Sequence, residues 1–420
     1  MTDRLRSLGG GLSSNYWKLW SSAALSNLAD GIFTIALPLI AVRLTDSPIL
    51  VAGVAIAGRL PWLFFALIAG ALADRLDRRR TMRDVNLLRV AVVGVMAVMA
   101  LLDVLSLPVL YGAALVLGIG ETLFDTAAQS IMPSLVSREQ LSKANGRLYA
   151  AELSMNQFIG PPLGGLLVSL SVPLALTGSA LCYVLAAVGL VLIVGDFRPL
   201  RAGPPARMHT EIVEGLRYLA GHRLLRTLAV MVGLMNLATS AVFAIFVLYA
   251  VAPGPMGLSE AGFGILLTTF AVGSVIGSVV VERVERRIGR AAVLTLGVLG
   301  SGLPLLVPAL TTEPILVGAA FALMGVTLML WNVVTVSLRQ RIIPDRLLGR
   351  VNSGYRLLAW GTQPLGALLG GLIGQLLGLQ IVFILAGSVT LLLLVARASI
   401  TDEAIDAAEA EGDRDASTIA

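Results

Sequence analysis

The chain has 420 residues, of which 56% are hydrophobic and only 14% charged, and its mean hydropathy is +0.86. A soluble domain carries roughly 25% charged residues, so this composition excludes an ordinary soluble enzyme and points to a membrane-embedded protein. The net charge of +5 does not suggest nucleic acid, because the basic residues lie in short segments between apolar runs, where they act as topology signals.

A spanning helix needs roughly 20 mainly apolar residues. On that measure the sequence predicts spans at 17–43, 48–72, 84–105, 108–131, 143–169 and 172–195. A second set follows at 226–251, 259–282, 289–310, 313–338, 351–377 and 379–397. The first run is too long for a signal-peptide core and has no obvious cleavage site, so it reads as span 1. Between the two sets, Asp196 to Arg207 is rich in proline, glycine and arginine and reads as a linker. Glu211 to Leu224 then places Ile212, Leu216, Leu219 and Ala220 on one helical face, opposite Glu211, Glu214, Arg217 and Arg223. The expected organisation is an all-α membrane protein with a six-helix bundle at 1–195 and a cytoplasmic linker with an amphipathic helix at 196–225. A second bundle at 226–398 and an acidic, disordered tail at 399–420 complete it. Cys182 is the single cysteine, which excludes an intrachain disulfide.

Loop charges orient the spans. Arg75, Arg78, Arg79, Arg80 and Arg83 follow span 2, and Arg138 and Lys143 follow span 4. Arg283, Arg286, Arg287 and Arg290 follow span 8, and Arg339, Arg341, Arg346 and Arg350 follow span 10. The alternate loops carry little charge. The positive-inside rule therefore places the arginine-bearing loops and both termini in the cytoplasm of a multi-pass cell-membrane protein.

The halves repeat. LSKAN at 141–145 aligns with LGRVN at 348–352, and GIGETLFD at 118–125 aligns with GVTLMLWN at 325–332. DRLDRR at 74–79 aligns with ERVERR at 282–287, and NLA at 27–29 recurs at 236–238. All four offsets nearly coincide and keep helix order. Two parallel six-helix repeats around a midplane site form a secondary-transporter plan.

The stretch GALADRLDRRR at 70–80 resembles motif A of the major facilitator superfamily, with Gly70, Asp74, Arg75, Arg78 and Arg79 matching and Asp77 replacing the usual second glycine. GPPLGG at 160–165 resembles motif C of the drug/proton antiporter branch, through Gly160, Pro161, Gly164 and Gly165. Motif B on span 4 is not recognisable, and Glu121 and Asp125 stand there instead. The whole pattern is similar to the branch of macrolide-efflux and enterobactin-exporter proteins. The resemblance implies the major facilitator fold, twelve helices in two pseudo-symmetric bundles, and a cytoplasmic latch of Asp74 and Arg78. Asp125 is positioned to join that latch. The arginines also admit a plainer reading as topology signals alone, and motif C a plainer reading as a helix-packing seam.

Ionisable residues inside a membrane are costly and mark functional sites. Asp30, Glu121 and Glu152 are the proton-coupling candidates, all in the first half. Asn27, Arg59, Asn156, Asn236, Trp331 and Gln363 are the polar candidates for a substrate cavity. Structural ion pairing of Arg59 with Asp30 or Glu121 is the plainer alternative to proton handling. No nucleophile–base constellation and no phosphate-binding loop are present, so an enzyme is not expected, nor is any cofactor or metal. The expected activity is proton-coupled antiport of amphiphilic, drug-like molecules by a monomer in the lipid bilayer. A siderophore or metabolite exporter, an uptake symporter and a transport-dead receptor or scaffold are the alternatives.

Overall fold

The computed structural model describes residues 12–65, 69, 72, 76–195, 197 and 208–417. The first elements are α1 (Ser14–Leu44), α2 (Pro48–Phe64), α3 (Arg78–Leu101) and α4 (Leu107–Ile131). After them come α5 (Leu141–Leu153), α6 (Gly160–Leu170), α7 (Val172–Val191) and α8 (Met208–Gly221). The second half contains α9 (Arg223–Ala250), α10 (Glu260–Ile288), α11 (Arg290–Leu310) and α12 (Pro314–Ile342). The chain ends with α13 (Asp345–Leu377), α14 (Leu379–Leu392) and α15 (Asp402–Ser417).

Among the described residues ten helices are long and apolar enough to cross a membrane, and α2 adds a shorter apolar helix. The rest of the second expected span falls largely on residues outside the described set. The fifth expected span is real but broken. Ser154–Ile159 forms a π-helical turn between α5 and α6. Pro161 and Pro162 have no N–H to give the carbonyls one turn earlier, so the regular ladder cannot run through them. A π-turn re-pairs the backbone at such a point. With the broken fifth span and the shorter α2 beside the ten long helices, the described residues are consistent with twelve apolar segments.

Helix starts follow local chemistry. Ser13 caps α1 by accepting from Tyr16 N–H at 3.2 Å. Asp77 caps α3 by accepting from Arg80 N–H at 2.9 Å. The departure from the motif A glycine therefore has a structural use: an N-cap replaces a flexible turn. Ser171 caps α7 and sits directly before Val172-Pro173, which separates it from α6.

The chain divides into two compact units. The first holds residues 1–46, 53–202 and 258–268, and the second holds 47–52, 203–257 and 269–420. Within the first, α3 packs on α4 and α7, and α1 packs on α6 and α7. Within the second, α11 packs on α12 and α14, and α9 packs on α13 and α14. The same pairings recur in the same chain order, which is the fold-level form of the sequence repeat.

The amphipathic helix α8 packs on α13 in the second unit. Glu214 and Arg350 form an ion pair at 2.5 Å, and Gly354 of α13 lies against Leu216.

The tail departs from expectation. Instead of lacking structure, residues 402–417 form α15. Ile405 is fully buried in the second unit's apolar core, with Ile400 and Ala408 beside it. Arg290 donates to Asp406 and, at 2.5 Å, to Glu409. Asp402 accepts from Ala291 N–H at 3.0 Å, capping α11. Gly289 precedes that cap with φ of 81°, and a Cβ there would stand 2.8 Å from the Asp402 carboxylate. Only glycine allows both the turn and the approach. The acidic composition that suggests disorder finds its counter-charges on Arg290 at the start of α11 and Arg341 near the end of α12.

Candidate functional site

The first unit contains a cluster of charged side chains in its apolar interior. Arg89 lies near the middle of α3 and is fully buried. Its Nη1 donates to Ser26 Oγ at 3.0 Å and lies 3.3 Å from Asp30 Oδ2. Asp30 stands midway along α1, and its other oxygen accepts from the Tyr183 hydroxyl of α7 at 2.6 Å. The guanidinium also sits over two rings, 5.7 Å from the Phe124 centroid and 5.2 Å from the Tyr183 centroid. Ser26 donates onward to Asn86 Oδ1 at 3.2 Å. Four helices therefore converge on one carboxylate–guanidinium pair.

More carboxylates surround this pair. Glu121 of α4 accepts a hydrogen bond from Trp62 and feels Arg59, Arg89 and Asp30 electrostatically. Asp125, one turn further along α4, lies among Glu121, Glu152, Asp30 and Arg89. A small cleft is lined by Asn27 of α1, Phe124, Asp125 and Gln129 of α4, and Glu152 of α5. The sequence-predicted acids Asp30, Glu121, Glu152 and Asp125 are thus brought to one place. Four acids meet two arginines there, and one of those, Arg59, is exposed. If all were ionised the group would carry excess negative charge inside the membrane. Protons or a cationic solute neutralise such a surplus.

Arg89 and Tyr183 are the residues that sequence reasoning missed. The expected third span starts at 84 and places Arg89 in its first third, where an arginine does not stand out. The helix runs from Arg78 to Leu101, with Arg89 at its middle. The available signal was the Asp77 cap. For Tyr183 the only signal is a single tyrosine in the middle of an apolar run. Arg59, the partner expected for Asp30 or Glu121, lies near Glu121, while Asp30 pairs with Arg89.

Motif C builds a seam. A Cβ on Gly160 would stand 2.6 Å from Gly31 Cα, and one on Gly164 would stand 2.7 Å from the Ile32 carbonyl oxygen. In return, a Cβ on Gly31 would stand 2.7 Å from the backbone oxygen of Asn156 in the π-turn. Gly165 meets the Glu260 carbonyl in the 258–268 segment of the same unit. Glu260 also pairs with Arg43 at 2.5 Å, and Arg43 donates to the Val168 carbonyl at 3.1 Å. These contacts hold the backbone of α6 against α1 at Gly31 and Ile32, the two residues that follow Asp30.

Of the expected latch, Gly70, Asp74 and Arg75 lie outside the described residues. Arg78 opens α3, and its neighbour Arg79 donates to the Ile193 carbonyl after α7.

The second unit carries fewer polar candidates. Asn236 of α9 donates to the Ala359 carbonyl of α13 at 2.7 Å, and Ser240 donates to the Gln363 carbonyl at 2.7 Å. Trp331, expected to line a cavity, is 1% exposed and belongs to the unit's apolar core. Gly297 of α11 vacates the space for its indole, since a Cβ there would stand 2.9 Å from Cε3. Among the described residues no group of His, Cys, Asp and Glu has the arrangement to hold a metal ion.

Comparison with known proteins bears on the family and the fold. A family described as "transmembrane secretion effector", within the major facilitator superfamily, matches residues 12–417. The multidrug efflux pump Tap of Mycolicibacterium fortuitum is 28% identical over 389 residues, covering 89% of this chain and 92% of that protein. Tap of Mycobacterium tuberculosis is 29% identical over 378 residues, covering 84% of this chain and 86% of that protein. The enterobactin exporter EntS of Escherichia coli is 29% identical over 316 residues, covering 73% and 72%. Among solved structures, a bacterial homologue of the iron transporter ferroportin superposes with a TM-score of 0.68 at 19% identity, covering 92% of this chain and 98% of that one. At this identity the likeness concerns the fold.

Proposed function

The chain belongs to the transmembrane secretion effector family of the major facilitator superfamily, and from that premise we propose that it expels amphiphilic, drug-like molecules across the cell membrane in exchange for protons. Export follows from the family and from relatives named as a multidrug efflux pump and an enterobactin exporter. The observation that carries the proton reading is the buried pair of Asp30 and Arg89, tied by Tyr183 and surrounded by surplus carboxylates. Such a group stores charge that a proton and a cationic solute compete to neutralise. Asp30 is the leading coupling residue, with Glu121 and Glu152 as the accessory acids. Asp74 and Arg78 act as the cytoplasmic latch, and the arginine bias puts both termini in the cytoplasm.

The test is flux in proteoliposomes holding the purified full-length protein, with tetraphenylphosphonium as the probe. An imposed proton gradient should drive it uphill, and Asp30→Asn should abolish that dependence while the protein remains in the membrane. Uphill movement by Asp30→Asn at the normal rate would reduce Asp30 to a structural partner. Export of a catecholate siderophore, but of no lipophilic cation, would favour the second reading, which rests on the relative named as an enterobactin exporter.

A further inference from the structure

Arg89 uses only part of its hydrogen-bonding capacity. Nη1 serves Ser26 and Asp30, while Nε and Nη2 are buried without a protein partner. Leaving a buried donor unused costs about 1–3 kcal/mol, and more for a charged group. Such a group invites a second arrangement in which those donors are engaged.

The surroundings supply one. Nε lies 2.8 Å from where a Cβ on Gly120 of α4 would stand. Glycine at that position is what lets the guanidinium lie against the α4 backbone. The next residue is Glu121, and Asp125 follows one turn later; both act on Arg89 electrostatically. Aromatic faces of Phe124 and Tyr183 flank the guanidinium and hold the cation without fixing its hydrogen bonds. The charged and titratable groups facing it are Asp30 from α1, Glu121 and Asp125 from α4, and Tyr183 from α7. Glu152 and Arg59 act on these carboxylates in turn.

We propose that Arg89 is a shared counter-ion which passes between Asp30 and the α4 carboxylates Glu121 and Asp125, and that Gly120 is the slot permitting the passage. A proton from the aqueous phase binds an Asp30 oxygen and removes its charge. The guanidinium keeps its own proton and moves to an ionised carboxylate on α4. Loss of the proton from Asp30 reverses the movement. Arg89 is thus a positioning residue that links proton uptake on α1 to the charge of the cleft lined by Asp125 and Glu152. This rests on reading the cluster as the coupling site, and it adds the mechanism by which one proton reaches two helices.

The experiment has two arms. First, difference infrared spectra of full-length protein in lipid vesicles follow carboxyl protonation between about pH 8 and about pH 5. Arg89→Gln should move the midpoint to higher pH by about one unit or more, a tenfold change in proton affinity. Arg89→Lys, which keeps the charge, should shift it less and covers the case in which the neutral variant does not fold. Titrations of both variants that superpose on the wild type would overturn the counter-ion. Second, Gly120→Ala removes no charge but should lose proton-driven tetraphenylphosphonium movement and alter its pH profile. Gly112→Ala on the same helix, where a Cβ meets nothing within 4 Å, should behave as wild type. Normal coupled transport and pH profile in Gly120→Ala would overturn the slot. A wild type that moves no tetraphenylphosphonium, yet whose titration responds to Arg89→Gln, would sink the drug reading and uphold the counter-ion.

Discussion

Replacing Tyr183 with phenylalanine removes one hydroxyl and keeps the ring. The hydroxyl donates to Asp30 at 2.6 Å from a completely buried position, and the ring remains beneath the Arg89 guanidinium. A hydrogen bond to a charged group contributes about 1.5–3 kcal/mol. One pH unit corresponds to about 1.4 kcal/mol, so the loss amounts to about one to two units in the proton affinity of the cluster. The sign follows from the donor. A bond donated to a carboxylate favours its charged form, so deleting it makes protonation easier. The pH profile of proton-driven transport should therefore move to higher pH by about one to two units, with membrane abundance close to wild type because the volume is nearly unchanged. The assay is the initial rate of tetraphenylphosphonium movement in proteoliposomes across a pH series. A profile superposing on the wild type would refute the assignment of Asp30 as the titrating centre. A collapse in abundance would instead give Tyr183 a purely structural role.

Gly164→Ala places a methyl 2.7 Å from the Ile32 carbonyl. It should lower the thermal midpoint of the solubilised protein by an overpacking cost of about 1–3 kcal/mol, whereas Gly146→Ala, with nothing within 4 Å, should not. Arg290→Ala removes the two ion pairs that tie α15 to the start of α11. Exposed pairs contribute about 0.2–1 kcal/mol each, so the helix should become more sensitive to limited proteolysis while the remaining chain stays folded. Unchanged digestion would leave the apolar contacts of Ile405, the Asp402 cap and the Arg341–Glu409 pair as the anchors. In a Cys182→Ala background, single cysteines at Ser137 and Ser259 test the orientation. An impermeant thiol reagent on intact cells should label only position 259, and labelling of 137 alone would invert the topology.

Much of this architecture is legible in the sequence because the lipid environment imposes local rules. Every spanning backbone must satisfy its own hydrogen bonds, so spans appear as long apolar runs and their orientation as loop arginines. The repeat needed no coordinates, because Asn145 and Asn352, or Asp125 and Asn332, lie at matching positions of two copies. Asp30, Glu121, Asp125 and Glu152 stood out for a similar reason: a carboxylate in an apolar run is conspicuous wherever it points. Partnership is a different kind of property. Whether Asp30 meets Arg59 or Arg89 depends on how far each helix is rotated and how deep each begins, and these are set by contacts remote in the chain. Arg89 at the middle of α3 meets Asp30 at the middle of α1 because α3 and α1 both pack on α7. The glycines of the α1–α6 seam bring those two backbones together, and Gly120 leaves the gap that Arg89 occupies. The same dependence decided the fate of Trp331, buried because Gly297 makes room for it, and of the acidic tail, ordered because Arg290 and Arg341 face it. Composition and periodicity record what a segment is made of. Which charges neutralise one another is decided only when the helices pack, because that depends on separations of a few ångströms between residues far apart in sequence.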